Sequence, residues 1–310
     1  MTRPVATSAE AAPTRSTAGL GALVVAGIAW GFSGTLGTLL AVSSGLSMLA
    51  IGGYRIAVGG VLVAVFILAT RQVRLPRRRS GWARVFGIAT CSAVYQVSFF
   101  TAVGSIGVAL ATLIAIGSAP VLVVAIDVVT GRHRLSVRLA VVWVMAVVGL
   151  LLLVGTPPPG VSSEALVRGG LLALTAGAGF AGISLIGARP EPDFHNLTGM
   201  ALAFGIGGAG TLLVAAVRGT IGFAPTPSAI ALVLALGLIP TAIAYLAYLH
   251  GLRTQSSTTG VLVSLLEPLT AALLAAWVLA ERLTPPGLFG AALLLGAVVL
   301  ISTKSAPSGR

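Results

Sequence analysis

The stretches "GSAPVLVVAIDVVTGRHRLS" (residues 117–136) and "LLEPLTAALLAAWVLAERLT" (residues 265–284) decide the fold, because they are two copies of one segment. An offset of 148 residues aligns Pro120 with Pro268. The same offset aligns further pairs: Arg134 with Arg282, Leu135 with Leu283, "GFSG" at 31–34 with "GFAG" at 179–182, and the glycine pair at 59–60 with the pair at 207–208. Agreement in several windows without an insertion indicates a chain built from two copies of one unit.

Composition identifies the solvent that this chain faces. Hydrophobic residues make up 56% of the chain and charged residues only 8%, and the mean hydropathy is +1.04. A soluble domain carries roughly 25% charged residues, because water must wet its surface. Most of this chain therefore faces lipid. The single cysteine, Cys91, excludes a disulfide within the chain and a cysteine-rich metal site.

Ten apolar windows follow one another along the chain. They cover residues 18–41, 48–70, 85–103, 108–130, 139–155, 169–188, 197–217, 229–250, 260–280 and 287–303. A bilayer core of about 30 Å needs about 20 helical residues, so each window can form one span, although 139–155 and 287–303 are short. Unbroken apolar windows exclude a membrane barrel, whose strands alternate polar and apolar residues.

The windows predict an all-α integral membrane protein with ten transmembrane helices, arranged as two inverted five-helix repeats. The first repeat covers residues 18–155 and the second covers residues 169–303. Residues 1–17 are small, polar and proline-containing, which predicts a disordered cytoplasmic tail, and residues 304–310 form a second cytoplasmic tail.

The distribution of basic residues predicts the orientation. Fifteen arginines and lysines fall on one side of the ten spans and three on the other, and Arg55 lies within a span. Because basic loops stay in the cytoplasm, both termini are expected there, in the inner or plasma membrane. The net charge of +12 is thereby explained without nucleic acid as a partner.

An odd number of spans per repeat explains why the two copies differ in charge. The second copy enters the membrane from the opposite side, so the basic loop "GRHRLSVR" becomes "AERLTPPG", which carries no net charge. Inverted repeats are typical of secondary transporters, whose substrate site lies near the membrane midplane between the repeats.

The second copy, "LLEPLTAALLAAWVLAERLTPPGLFGAALLLGAVVL", resembles the C-terminal part of an EamA-type repeat of the drug/metabolite transporter superfamily. In that family a proline-containing helix leads into a "GERL"-like turn and a glycine-rich last helix. Here Ala280 replaces the usual glycine of the turn, and "GRHRLS" in the first copy is a weaker match. The opening of the second helix, "YRIAVGG", is also similar to the family. The resemblance implies a ten-helix exporter and leaves the substrate open among amino acids, drugs, nucleotide sugars and other metabolites.

Polar and aromatic residues inside the spans are the candidates for a substrate cavity. Gln96 in particular cannot face lipid without leaving its amide unsatisfied. The candidates are Trp30, Ser33, Tyr95, Gln96, Phe99, Phe180, Tyr245, Tyr248 and Glu267. Glu267 is the only carboxylate well inside a span. An acid at this depth contacts a substrate amine or takes part in proton coupling, or else it is a neutral, hydrogen-bonded structural group.

Two further ionisable residues have structural interpretations. Arg55 is expected to extend to the outer interface or to cap a carbonyl, with contact to a substrate carboxylate as the alternative. A direct salt bridge with Glu267 is not expected, since the two differ in depth by roughly 9 Å. Asp127, near the cytoplasmic end of the fourth span, is expected to pair with Arg132 or Arg134.

Prolines and glycines within the spans predict backbone features. Pro120 and Pro268 each remove a backbone hydrogen bond and are expected to kink their helices, which would then form cavity walls or only shape the packing. The run from Gly205 to Gly210 matches G-x-G-x-x-G, but it lies inside an apolar span. Close helix packing is therefore the preferred interpretation over dinucleotide binding.

These patterns favour a secondary transporter that exports amino acids or related amphiphiles by alternating access. Drug or amine efflux is the alternative within transport, and a membrane-embedded enzyme, a lipid-handling protein and a receptor are alternatives of other classes. The sequence lacks a P-loop, an H-E-x-x-H motif and clustered metal ligands, so no enzyme activity, cofactor or metal is expected. The expected partners are a small-molecule substrate and membrane lipid, and the oligomeric state stays open.

Overall fold

The computed structural model describes residues 17–131, 136–154, 161–193, 195–278 and 284–302. The first half contains α1 (Thr17–Ser44), α2 (Met48–Ala69), α3 (Arg79–Ile106), α4 (Val108–Val129) and α5 (Val137–Val154). The second half contains α6 (Ser163–Ala188), α7 (Asn196–Val217), α8 (Pro227–Gly237), a π-helical segment (Leu238–Ile243), α9 (Ala244–Gly251), α10 (Ser257–Val263), α11 (Leu266–Val278) and α12 (Pro285–Ser302). The tails and the turns that carry Arg134 and Arg282 lie outside the described residues.

The all-helical membrane fold predicted from the sequence is confirmed. In the described part of the chain, nine helices are long and apolar enough to cross a membrane, and Val137–Leu153 is a shorter apolar helix in the tenth position. The eighth span combines α8, the π-helical segment and α9, and the ninth combines α10 and α11. Large apolar side chains point away from the bundle, with Trp277 84% exposed, as expected for a surface that lipid covers.

Hydroxyl side chains begin several of these helices. Ser47 accepts a hydrogen bond from the backbone N–H of Ala50, and Ser162 accepts one from Ala165. Thr226 and Ser256 do the same at the starts of α8 and α10. Each side chain satisfies an N–H group that has no partner within its own helix, so the helix start needs no water there.

The packing of the two halves reproduces the sequence repeat. α2 packs on its repeat partner α7, and α5 packs on its partner α12. A Cβ on Gly60 would lie 2.7 Å from the backbone N of Gly205, and a Cβ on Gly208 would lie 2.5 Å from the backbone N of Ala57. The 148-residue offset converts the first contact into the second, so the bundle has an internal two-fold relation.

Prolines affect the two repeats differently. α4 continues through Pro120 without interruption. The ninth span is divided before Pro268, where the Glu267 N–H donates to the Ser264 carbonyl at 2.9 Å instead of continuing the α-helical pattern. The eighth span contains a further proline, Pro240, within the π-helical segment. The second repeat therefore carries the irregular backbone, which the symmetric pair of prolines did not predict.

Candidate functional site

A cavity of about 120 Å³ lies between α1, α2, α3, α4 and α11. Its lining extends from Trp30 and Glu267 to Thr38 and Met48. These last two residues lie near the end of the bundle at which α1 ends and α2 begins. Thr38 is exposed, so the cavity opens at that end, which the charge distribution predicts to be the outer side.

Most of the predicted cavity residues line this cavity. They are Trp30, Ser33, Tyr95, Gln96, Phe99 and Glu267, and Pro268 lies beside them. Pro120 instead lines an apolar groove beside Trp143, between α4 and α5. The two symmetry-related prolines therefore face different surroundings.

The other three predicted residues lie behind Trp30, away from the wall of the cavity. The Trp30 ring centroid lies 4.9 Å from that of Tyr245, 5.0 Å from that of Tyr248 and 5.6 Å from that of Phe180. All four side chains are buried, and the Tyr248 hydroxyl lies 2.7 Å from Ser184 Oγ. This aromatic cluster closes the bundle between the cavity and the opposite, predicted cytoplasmic end.

Arg55 is a cavity residue that the sequence analysis assigned elsewhere. The expectation that it extends to the interface is wrong, because its side chain is only 6% exposed and lines the cavity. Its Nη1 donates a hydrogen bond to Ser33 Oγ, and its guanidinium interacts with the Tyr245 side chain. The signal that could have identified it was its position inside a span, since ionisable residues there usually face the bundle interior.

The break in the ninth span positions Glu267. Because α11 begins at Leu266, Glu267 lies in the first turn of that helix. The partial positive charge of a helix N-terminus stabilises an acidic side chain in its first turn. Glu267 and Arg55 line the same cavity, yet no salt bridge or hydrogen bond joins these two described residues, as the depth estimate predicted.

Three polar atoms of the cavity residues form no hydrogen bond within the described chain. They are Trp30 Nε1, Arg55 Nε and Gln96 Oε1, and all three are buried. A buried polar atom that forms no hydrogen bond costs about 1–3 kcal/mol. The cavity residues thus combine a cation, an acid and three unpaired polar atoms with aromatic walls.

The glycine run in α7 divides into packed and open positions. A Cβ on Gly207 would lie 2.8 Å from the Ala89 carbonyl oxygen, and the Gly208 contact with Ala57 is closer still. A Cβ added to Gly205 or to Gly210 would meet nothing within 4 Å. Gly207 and Gly208 therefore serve close helix packing, in agreement with the preferred interpretation of the G-x-G-x-x-G match.

Asp127 lies at the predicted cytoplasmic end of α4. Arg132 and Arg134, its expected partners, lie outside the described residues. Within the described chain, its Oδ2 accepts hydrogen bonds from Ser257 Oγ at 3.0 Å and Thr258 Oγ1 at 3.3 Å. The side chain is 3% exposed, so Asp127 lies in a buried contact between α4 and α10.

Two inverted five-helix repeats with a cavity between their helices are typical of membrane transporters. The sequence profile of the EamA-like transporter family matches residues 17–155 and 167–303. The chain belongs to this family: it is a transporter and not an enzyme. In the described part of the chain, no three histidine, cysteine or acidic side chains come together in a way that could hold a metal ion.

Relatives of this chain carry the same general description. An "Uncharacterized transporter YwfM" of Bacillus subtilis (strain 168) is 32% identical over 281 residues, which cover 90% of this chain and 92% of that protein. An "Uncharacterized transporter" of Archaeoglobus fulgidus is 26% identical over 240 residues, which cover 77% of this chain and 81% of that protein. One crystal structure of a protein matches with a TM-score of 0.79 at 21% identity, covering 94% of this chain and 98% of that chain. At this identity the structural likeness shows the fold alone.

Proposed function

We propose that this transporter exports small zwitterionic metabolites, namely amino acids or related amphiphiles, across the plasma membrane by alternating access. One observation carries the proposal: Arg55 and Glu267 line the same small cavity without forming a salt bridge to each other. A zwitterion provides a carboxylate for the guanidinium and an ammonium group for the acid. The direction of transport and the plasma membrane follow from the resemblance to exporters of this family.

The size of the cavity supports a small substrate. Pockets for drug-sized ligands measure about 300–1,000 Å³, whereas an apolar cavity of about 150 Å³ holds benzene. The cavity here measures about 120 Å³. A drug-sized substrate would require a large rearrangement of α1, α2 and α11, while a small amino acid needs only a modest widening.

The charges support a zwitterion over a simple amine. An ionisable group inside a membrane protein is costly unless it is paired or hydrated. An amine could pair with Glu267, but it provides no carboxylate for Arg55, whose contacts would remain Ser33 and Tyr245. A zwitterion would pair with both residues, and Gln96 and Trp30 line the same cavity with further polar atoms.

A substrate panel that separates the two charges tests the proposal. The full chain in liposomes would be loaded with a radiolabelled neutral amino acid, and unlabelled compounds would compete in a counterflow assay. The panel pairs each amino acid with its amine and its carboxylic acid analogue, for example valine with isobutylamine and 3-methylbutanoate. We expect each analogue to compete about 10- to 100-fold more weakly, because each lacks one hydrogen-bonded charge. Equal competition by the amine would support amine efflux and would refute the zwitterion proposal.

Variants of the two charged residues show which substrate group each contacts. Glu267→Gln keeps the size and hydrogen-bonding capacity of the side chain but carries no charge. We expect it to weaken competition by the amino acid and to leave competition by the carboxylic acid analogue unchanged, with thermal stability retained. Arg55→Gln should show the converse pattern. Glu164→Gln and Arg168→Gln are matched controls, because both residues lie in α6 and neither lines the cavity. Activity that falls only in proportion to the amount of folded protein would show a structural role instead.

A further inference from the structure

Asp127 joins the two repeats at the end of the bundle opposite the cavity mouth. It belongs to the last turn of α4 in the first repeat, and its partners Ser257 and Thr258 begin α10 in the second. Both partner side chains are as buried as Asp127, at 5% and 2% exposed. A buried carboxyl group is costly unless hydrogen bonds compensate it, and among the described residues these two hydroxyl groups supply such bonds.

The same end of the bundle is closed by other contacts. The Leu23 side chain of α1 packs against Gly251 at the end of α9, and the aromatic cluster around Trp30 lies above this contact. In the described part of the chain these contacts close the end of the bundle opposite the cavity mouth, and α4 and α10 meet on that closed side. For an alternating-access transporter, the closed side must open and the open side must close during each cycle.

The sequence repeat shows that this contact has no counterpart. Because the repeats are inverted, residues related by the 148-residue offset lie on opposite sides of the membrane. Asp127 corresponds to Ala275, Ser257 to Ala109 and Thr258 to Leu110. The three equivalent positions therefore hold no polar side chain that could form this contact on the outer side. The hydrogen bonds of Asp127 stabilise one state of the cycle and not the other.

We infer that Asp127, Ser257 and Thr258 form a latch that holds the predicted cytoplasmic side closed and sets the population of the outward-open state. The inference rests on the alternating-access part of the proposed function and is independent of the substrate. Ligands shift such an equilibrium only by binding one state better than the other, so the latch sets the bias that a substrate must overcome. Loss of the latch should increase the inward-open population by at least about tenfold, because one hydrogen bond to a carboxyl group has an effect of about that size and Asp127 accepts two.

Cysteine labelling of the closed side tests the latch without any substrate. The background is Cys91→Ser, and the reporters are Leu23→Cys and Ala26→Cys, at positions 1% and 0% exposed on α1. The full chain in detergent micelles would be labelled with N-ethylmaleimide. We expect Asp127→Ala to raise the labelling rates of both reporters by the same factor of at least about ten. A common factor indicates that the whole side opens, since both reporters lie on α1 and no latch residue does.

A mutant cycle shows whether the three residues act together. The double variant Ser257→Ala/Thr258→Val should raise the labelling rates at least as much as Asp127→Ala does, because it leaves a buried carboxyl group without these hydrogen bonds. Combining all three changes should raise the rates no further than the larger of the two separate effects. Glu164→Gln, a carboxyl change on α6, should leave the rates unchanged. Unchanged rates in both latch variants, or additive effects of the two changes, would overturn the inference. If the substrate panel fails while the latch variants behave as expected, the proposed substrate is wrong and the latch stands.

Discussion

The contact between α2 and α7 makes a quantitative prediction about Gly208. In the substitution Gly208→Ala, the new Cβ would lie 2.5 Å from the backbone N, 2.6 Å from the Cα and 2.7 Å from the Cβ of Ala57. Non-bonded carbon atoms normally lie about 3.5–4.0 Å apart. The two helices must therefore separate by about 1 Å at this point. Two residues further along the same helix, a Cβ on Gly210 would meet nothing within 4 Å, so Gly210→Ala is a matched control.

Two opposing effects determine the magnitude. Overpacking of a tight contact costs about 1–3 kcal/mol. Alanine in place of glycine stabilises a helix by about 0.5–1 kcal/mol. Gly208→Ala should therefore lower the free energy of unfolding by up to about 2.5 kcal/mol, and Gly210→Ala should raise it by about 0.5–1 kcal/mol. The difference between the two variants reports the packing effect alone, because the helix preference is common to both.

Thermal unfolding of the purified variants in one detergent measures this difference. We expect Gly208→Ala to unfold at a lower temperature than the parent protein, and Gly210→Ala to unfold at an equal or higher temperature. Gly60→Ala should behave like Gly208→Ala, because the internal two-fold relation places it against Gly205 in the same way. Equal unfolding temperatures for the Gly208 and Gly210 variants would refute the close approach of α2 and α7.

Two further predictions concern orientation and pH. A reporter fused after Arg310 should be active only in the cytoplasm, and a reporter active on the outer side would contradict the predicted topology. Neutralising the arginines of the loop "RQVRLPRRRSGWAR" should produce mixed orientation, since this loop holds the largest share of the charge bias. Burial and the neighbouring Arg74 and Arg253 lower the pKa of His195 from its ordinary value of 6.5, so the unfolded chain binds a proton there before the folded chain does. The free energy of unfolding should therefore fall as the pH falls through about 6.5 and level off below the lowered pKa. His195→Gln should remove this part of the pH dependence. Identical pH profiles of stability for the parent and the variant would exclude a contribution from His195.

Much of the architecture follows from local patterns in the sequence. A run of about 20 apolar residues forms a helix in lipid because every backbone polar group must be satisfied within the segment. The 148-residue offset identified the inverted repeats, and the tight contacts of Gly60 and Gly208 are equivalent under that same offset. Glu267 was recognised as a cavity candidate from its residue type and its depth alone, because an acid inside a span is rarely placed against lipid.

Only the tertiary structure decided which way the side chains of each span point. The helices of this chain are apolar on most faces, so the sequence contains little information about their rotation, and packing between helices determines it. Packing turned Arg55 into the cavity and placed Tyr245, Tyr248 and Phe180 behind Trp30. Packing also determines that Gly208 contacts α2, whereas a Cβ added to Gly210 would meet nothing within 4 Å. Two prolines that occupy equivalent places in the repeat likewise differ, because the backbone around Pro268 breaks while α4 continues through Pro120. A pattern along one helix predicts that a span forms, whereas the contacts between spans determine what faces the cavity.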